Sequence, residues 1–333
     1  MPEPARNPLV LPGAALLAAA VVLTAVAISQ PFAVNVIGVM VLGSAHVLCA
    51  LRYLAGRISD AVTETTGWLL VVIVATMALV RVVTALSPGL GHRLELGGSM
   101  AILATALWIG LTGRLRYLVI VPVAVIGIAA FLELPWYWHL LTHAHNLVPL
   151  IFLWDWARRR RPGSGLAFTA INLSWALVVP AVILAGVVDP LINAVPPPFI
   201  TTLADPAFVL ASAAQPHSSP EMAVRFLVVF SYLQAMHYVI WMVFFQIAGR
   251  SEISRLASRF PIARGRWFWL LAVAVSLLIW LVYALGYYDG RAVYGIVGAA
   301  NVYLEQPIAV WLLLTVLPAG ATSGLIHRLG QAQ

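Results

Sequence analysis

The chain has 333 residues, of which 62% are hydrophobic and only 9% carry a charged side chain. This composition excludes a soluble globular domain and indicates an integral membrane protein, because too few polar side chains remain to cover a water-facing surface. The formal net charge of +7 rests on nineteen arginines and no lysine; these arginines lie in short loops between apolar segments, which favours membrane topology over nucleic-acid binding.

The apolar segments are continuous rather than alternating, which predicts helices and excludes a β-barrel. A helix needs about 20 residues to cross about 30 Å of hydrocarbon. On this basis the sequence predicts an all-α polytopic bundle of about ten spans, forming a single domain over residues 1–333. The predicted spans are 9–29, 32–54, 67–86, 96–112, 117–134, 138–154, 166–188, 222–248, 267–287 and 293–317.

The distribution of arginine predicts the orientation of these spans. In a ten-span arrangement most arginines fall on one side, namely Arg6, Arg52, Arg57, Arg114, Arg116, those at 158–161 and 250–266, and Arg328. Cytoplasmic loops hold the excess of positive charge, so both termini of this multi-pass protein are predicted to lie on the cytoplasmic side of the cell membrane. The proline-rich segment 189–221 is predicted to be an extracytoplasmic loop or lid.

Residues 133–149 read ELPWYWHLLTHAHNLVP and place three histidines within seven positions. At 100° per residue, His139 and His143 share one face of the sixth predicted helix, whereas His145 points elsewhere. Ionisable groups inside a bilayer are costly unless paired, and they usually face the bundle interior and mark function. Taken singly, such a histidine is also consistent with a core side chain bonded to a backbone carbonyl.

Three further ionisable residues lie inside other predicted spans: His46 in the second, His237 in the eighth and Glu305 in the tenth. Counted by helical rise from the cytoplasmic ends, all three lie at a depth similar to that of His143 and His145. The shared depth predicts that these side chains meet in one layer of the bundle.

Imidazole is the commonest metal ligand, and a spacing of four residues presents two nitrogens to one ion. The predicted metal site consists of His46, His139, His143 and His237, with His145 as a replacement ligand. Glu305 is predicted to act catalytically, either by orienting a ligand or by binding the metal itself. Nitrogen-rich sites suit zinc, copper or iron. Non-haem iron is the predicted cofactor, with haem b or copper as alternatives.

The W-H-x-x-x-H motif from Trp138 to His143 stands beside isolated histidines in other spans, at His46 and His237. This combination resembles the bacterial β-carotene dioxygenases, the Brp/Blh-like membrane enzymes. The resemblance implies a helical bundle in which four histidines hold a non-haem iron that cleaves a carotenoid, with His139 and His143 as the pair. The family's H-F-G-x-x-D context is not found around either single histidine, and the resemblance covers a handful of residues.

Two classes of function follow from these residues. The first is a metal-dependent oxidoreductase or oxygenase whose partner is a lipid or lipid-soluble small molecule, such as an isoprenoid, a quinone or an acyl chain. Its electron donor is not identified by the sequence. A b-type haem protein, with axial ligands drawn from His46, His143 and His237, is the alternative within this class. The second class is a proton-coupled transporter with a relay of histidines and Glu305.

Overall fold

The structure is a computed structural model that describes residues 9–59, 64–111, 115–160 and 165–316. Within these residues all regular secondary structure is helical, so the predicted all-α class is confirmed. Six helical segments are long and apolar enough to cross a membrane, and the number rises to seven if the pair Ile120–Leu132 and Leu134–Arg160, bent by 117°, forms one span. The ten-span count and the cytoplasmic termini stay predictions, and residues 1–8 and 317–333 lie outside the described part of the chain.

Several helices in the first part of the described chain begin at proline. Proline is favoured at the first helical position because its missing N–H would have no partner within the helix there. The helices are α1 (Val10–Ser29), α2 (Pro31–Ile37), α3 (Gly43–Ile58), α4 (Glu64–Leu86), α5 (Pro88–Gly110), α6 (Leu115–Leu132), α7 (Leu134–His145), α8 (Pro149–Arg160) and α9 (Gly165–Leu184).

The helices in the second part are α10 (Pro198–Leu203), α11 (Pro206–Ala213), α12 (Pro220–Val239), α13 (Phe245–Ala248), α14 (Arg250–Arg259), α15 (Gly265–Leu285) and α16 (Tyr287–Val316). Ser219 caps α12, because its hydroxyl oxygen accepts a hydrogen bond from the Met222 N–H at 3.3 Å. This bond satisfies one of the N–H groups that have no partner at the start of a helix.

The segment 189–221 connects α9 to α12 and contains two short helices, α10 and α11. Asp205 caps α11 by accepting a hydrogen bond from the Ala207 N–H at 2.9 Å. α11 packs against α2, α7 and α12, so this part of the proline-rich segment is docked on the bundle.

The sixth predicted span, residues 138–154, is not one uninterrupted helix. α7 ends at His145 and α8 begins at Pro149. Pro149 has no N–H to donate to the His145 carbonyl, and its ring crowds the preceding turn. The backbone tightens there, and Val148 donates to the His145 carbonyl over three residues, at 3.1 Å. The proline therefore places His145 at a helix end, which a uniform helical periodicity does not anticipate.

Two π-helical segments interrupt long helices close to histidines. Gly38–Leu42 joins α2 to α3, and Ile240–Phe244 joins α12 to α13. His46 lies just after the first segment and His237 lies just before the second. π-Helical turns are rare and are frequent at functional sites, because they redirect the side chains around them.

Helix α12 is the central element of the bundle. On one side it packs in a hydrophobic core with α1, α3, α8 and α9, where Tyr53, Phe152 and Tyr232 are fully buried. On the other side it packs with α2, α11 and α15 in a second core around Phe32 and Ile279. Because apolar partners cover α12 on both sides, a polar residue on it is held away from lipid.

Helices α1, α9 and α15 present apolar outer faces. In each of these helices, only 28% of the residues in the most apolar 18-residue stretch are buried inside the bundle. Leu17, Leu177 and Leu281 are among the exposed side chains. Exposed apolar surface this continuous is an aggregation liability in water, whereas in a bilayer it is the surface that contacts lipid. The structure thus has the surface that the composition predicts for a membrane protein.

A polar network joins α3, α8 and α14 at one end of the bundle. Arg57 donates two hydrogen bonds to Asp155, at 2.8 and 3.0 Å, and Arg159 donates a third at 3.0 Å. Arg159 also pairs with the buried Glu252. Burial raises the pKa of the Glu252 carboxyl, but hydrogen bonds from Ser251 and Arg159 outweigh burial and hold this pKa below the usual value for glutamate. We call these residues the arginine network.

Candidate metal centre

Four ionisable side chains from four different helices meet beside α12: His46 of α3, His145 of α7, His237 of α12 and Glu305 of α16. The ring centroids of His145 and His237 are 4.7 Å apart, and those of His46 and His237 are 5.1 Å apart. His145 Nδ1 lies 3.4 Å from Glu305 Oε2. We call these four residues the histidine–glutamate cluster.

Three members of the cluster are arranged as potential ligands of one ion. One nitrogen from each of His145 and His237 and one oxygen of Glu305 lie within 4.8 Å of one another, and no other such group of three occurs among the described residues. Two imidazoles and one carboxylate are the donor set of non-haem iron(II) oxygenases and of some catalytic zinc sites.

Buried polar atoms in the cluster lack well-formed hydrogen bonds within the part of the chain that the structure describes. Among the described residues, His46 Nδ1 and both ring nitrogens of His237 make no hydrogen bond of normal geometry, whereas His145 Nδ1 and Glu305 Oε2 have only each other, at 3.4 Å. Leaving one such atom unpaired costs about 1–3 kcal/mol, and native proteins keep few of them. A bound cation would satisfy one nitrogen each of His145 and His237 together with one oxygen of Glu305. The donor set therefore fits a metal ion.

Neighbouring residues orient the cluster. Asn301, one turn before Glu305, donates from Nδ2 to Glu305 Oε1 at 2.6 Å, and both side chains are buried. This bond occupies one carboxylate oxygen and leaves Oε2 beside His145. A hydrogen bond of this kind fixes the direction of a ligand before the ion binds. On the opposite side, the ring of Tyr238 lies 4.4 Å from that of His46.

The predicted pair, His139 and His143, lies apart from the cluster. The two rings are neighbours, with centroids 4.6 Å apart, as the spacing of four residues predicts. Both pack against Phe226 of α12, and His143 Nε2 lies 2.9 Å from the carbonyl oxygen of Ala213, to which it donates. Neither belongs to the group of potential ligands. The structure brings together the other predicted residues and sets this pair apart.

The packing of α7 on α12 explains why His145 joins the cluster. Phe226, Phe230 and His237 lie on one face of α12, because spacings of four and seven residues return to nearly the same direction. His143 meets the two phenylalanines, whereas His145, two residues later, meets His237. Sequence periodicity separates His145 from the pair but does not reveal which face of α7 points to the other helices.

A cavity of about 470 Å³ reaches the cluster and has His46, His145 and His237 in its wall. Its other wall residues include Arg81, Arg291, Trp138, Phe208 and Tyr288. On α16 the wall extends from residue 288 to residue 302, which spans about 21 Å at helical rise. Two larger grooves, of about 490 and 570 Å³, have almost entirely apolar exposed surface, as expected of surfaces that contact lipid chains. The second of them shares Gln234 and Tyr238 with the cavity.

Comparison of the chain with protein-family models, with curated proteins and with solved structures gave no match.

Proposed function

We propose that the protein is a multi-pass metalloprotein of the cell membrane in which His145, His237 and Glu305 bind a non-haem iron ion, with His46 as a further nitrogen donor. The proposed activity is that of an oxidoreductase or oxygenase on a lipid-soluble substrate, such as an isoprenoid, a quinone or an acyl chain. The observation that carries the proposal is the convergence of buried donor atoms of His145, His237 and Glu305 from three helices, with the His46 ring beside His237, at the end of a cavity.

The donor set favours iron over copper and zinc. Two imidazoles and a carboxylate leave coordination positions open on an iron(II) ion, and such a site activates dioxygen or transfers electrons. Zinc also accepts this donor set, but it has no redox chemistry. Aromatic side chains in the cavity wall, such as Trp138 and Phe230, suit an apolar substrate. The resemblance to β-carotene dioxygenases also favours iron, although the ligands proposed here share only His46 and His237 with those that the resemblance implies.

The contacts within the cluster argue against a haem held between two of its histidines. The rings of His46 and His145 each lie about 5 Å from the ring of His237. Two axial ligands of one haem stand on opposite faces of the macrocycle, and rings in direct contact leave no room for it between them.

In this proposal, residues around the cluster orient the metal ligands and bind the substrate. Asn301 directs the Glu305 carboxylate, and α12 holds His237 between two apolar cores that exclude water. The aromatic side chains of Trp138, Phe208 and Phe230 line the route to the cluster and hold an apolar substrate there.

A proton-coupled carrier is the second candidate. The contact of 3.4 Å between His145 Nδ1 and Glu305 Oε2 favours it, because a buried imidazole and a carboxyl at this distance can exchange a proton.

The test is to purify the protein in detergent, quantify its metals by mass spectrometry and record its visible spectrum. The proposal predicts about one iron per chain and no Soret band. A Soret band would show that the protein binds haem instead. Stoichiometric zinc would contradict an oxidation and indicate a zinc-dependent reaction. A protein that holds no metal after reconstitution with iron(II), copper(II) or zinc would favour the carrier.

A further inference from the structure

We propose that the cavity binds an amphiphile with a single carboxylate, whose head group is held by Arg291 and whose apolar chain extends toward the histidine–glutamate cluster. The proposal rests on the proposed function for the role of the bound molecule as a substrate. The binding itself follows from the charges and the apolar surface of the cavity wall.

The wall contains two guanidinium groups, Arg81 and Arg291, and no aspartate or glutamate among the described residues. Arg81 has a carboxylate partner behind the wall, since its Nη2 lies 2.6 Å from Glu95 Oε1. Glu95 is fully buried and also accepts a hydrogen bond from the Tyr303 hydroxyl at 2.6 Å. The charge of Arg81 is therefore matched within the protein.

Arg291 has no such partner. No carboxylate of the described chain forms an ion pair with it; its Nη1 donates to the Tyr287 hydroxyl at 3.1 Å, and its guanidinium lies 5.3 Å from the centre of the Phe208 ring. The aromatic contact fixes the guanidinium plane, and the remaining donors are suited to two parallel hydrogen bonds from a carboxylate. The positive charge of Arg291 attracts an anion into the cavity, and the apolar surroundings strengthen this attraction because they screen the charge less than water does.

The rest of the wall is mainly apolar. Phe208 and Tyr288 contact each other beside Arg291, and Trp138, Leu141 and Phe230 lie along the route to the cluster. A neutral hydrocarbon would fill this space but leave Arg291 unpaired. A zwitterionic head group would bring a cation close to two guanidiniums. A single negative charge on one apolar chain matches both parts of the wall.

The test uses radiolabelled dodecanoate and the full-length protein in nanodiscs of zwitterionic lipid, captured on scintillation beads. Binding is the signal displaced by excess unlabelled dodecanoate. The competitors are dodecan-1-ol and dodecylamine, which have the same chain with a neutral or a cationic head, and phosphatidylglycerol, which offers a lipid phosphate. We expect saturable binding that dodecanoate displaces and that the other three do not.

The variants are Arg291→Gln and, as the matched control, Arg93→Gln. Arg93 is exposed and lines an apolar groove outside the cavity, so its substitution removes the same charge elsewhere. Arg291→Gln should weaken dodecanoate binding by about tenfold to a hundredfold, as expected for loss of hydrogen bonds to a charged group. Arg93→Gln should bind like the wild type.

Equal competition by dodecan-1-ol, displacement by phosphatidylglycerol, or equal losses in both variants would overturn the proposal. If Arg291→Gln does not fold, the proposal is tested by whether the wild-type protein discriminates dodecanoate from the three competitors. Metal content measured on the same samples separates the two proposals. If the protein binds dodecanoate but no metal, the proposed carboxylate site is supported and the proposed metal centre is wrong. If it binds metal but no dodecanoate, the metal centre is supported and the carboxylate site is wrong.

Discussion

The arginine network and the histidine–glutamate cluster are both buried polar groups, but they differ in how their polar atoms are satisfied. In the network, each carboxylate oxygen of Asp155 and Glu252 has an arginine or serine partner. In the cluster, neither ring nitrogen of His237 makes a hydrogen bond of normal geometry among the described residues, and Glu305 Oε2 has only the His145 ring, 3.4 Å away.

This difference separates a structural role from a binding role. A buried ion pair whose partners are complete needs nothing further, and removing one member leaves an uncompensated charge. A buried cluster whose donors are incomplete is costly until another species completes it. We therefore expect substitutions in the arginine network to affect folding, and substitutions in the cluster to affect binding.

The largest expected effect is that of Asp155→Ala. It leaves Arg57 and Arg159 without their shared carboxylate, and breaking a buried pair in this way costs about 3–5 kcal/mol. Denaturant titration in mixed micelles should show a correspondingly lower unfolding midpoint, while the folded fraction keeps its metal. An unchanged midpoint would mean that the network is not what holds α3, α8 and α14 together.

An intermediate effect is expected for Asn301→Leu. The substitution removes the hydrogen bond that orients Glu305, and loss of such a partner lowers metal affinity by about tenfold to a hundredfold. The substitution also leaves the buried Glu305 Oε1 without its donor, so the free energy of unfolding should fall by about 1–3 kcal/mol. Competition against a chelator of known affinity measures the change. Wild-type affinity in this variant would remove Glu305 from the site.

The smallest effect concerns pH. Because the pKa of Glu252 is lower in the folded protein than in the unfolded chain, its carboxylate stabilises the fold fully at pH values above the unfolded pKa of about 4.3. This contribution is lost as pH falls through the lower folded value. Unfolding midpoints measured from neutral pH to strongly acidic pH should therefore fall less for Glu252→Gln than for the wild type. Parallel curves would contradict the role of this ion pair.

The sequence was sufficient to predict the all-helical class, because continuous apolar segments of spanning length leave few alternatives, whereas the count of ten spans stays a prediction. It also identified the residues of the cluster, since His46, His237 and Glu305 are isolated polar groups in apolar surroundings. It ranked His145 below His139 and His143, because periodicity gives the relative directions on α7 but not its rotation against α12. The pairing of Arg81 with Glu95 was equally inaccessible, since it depends on how α4 packs against α5.

The most direct test compares iron retention in four single variants expressed and purified in parallel. His145→Ala and His237→Ala remove proposed ligands, whereas His139→Ala and His143→Ala remove histidines of the same helical region that pack against Phe226. We expect the first two variants to lose iron while staying folded and the last two to retain it at the wild-type level. Retention by His145→Ala and His237→Ala, or loss in His139→Ala and His143→Ala alone, would contradict it.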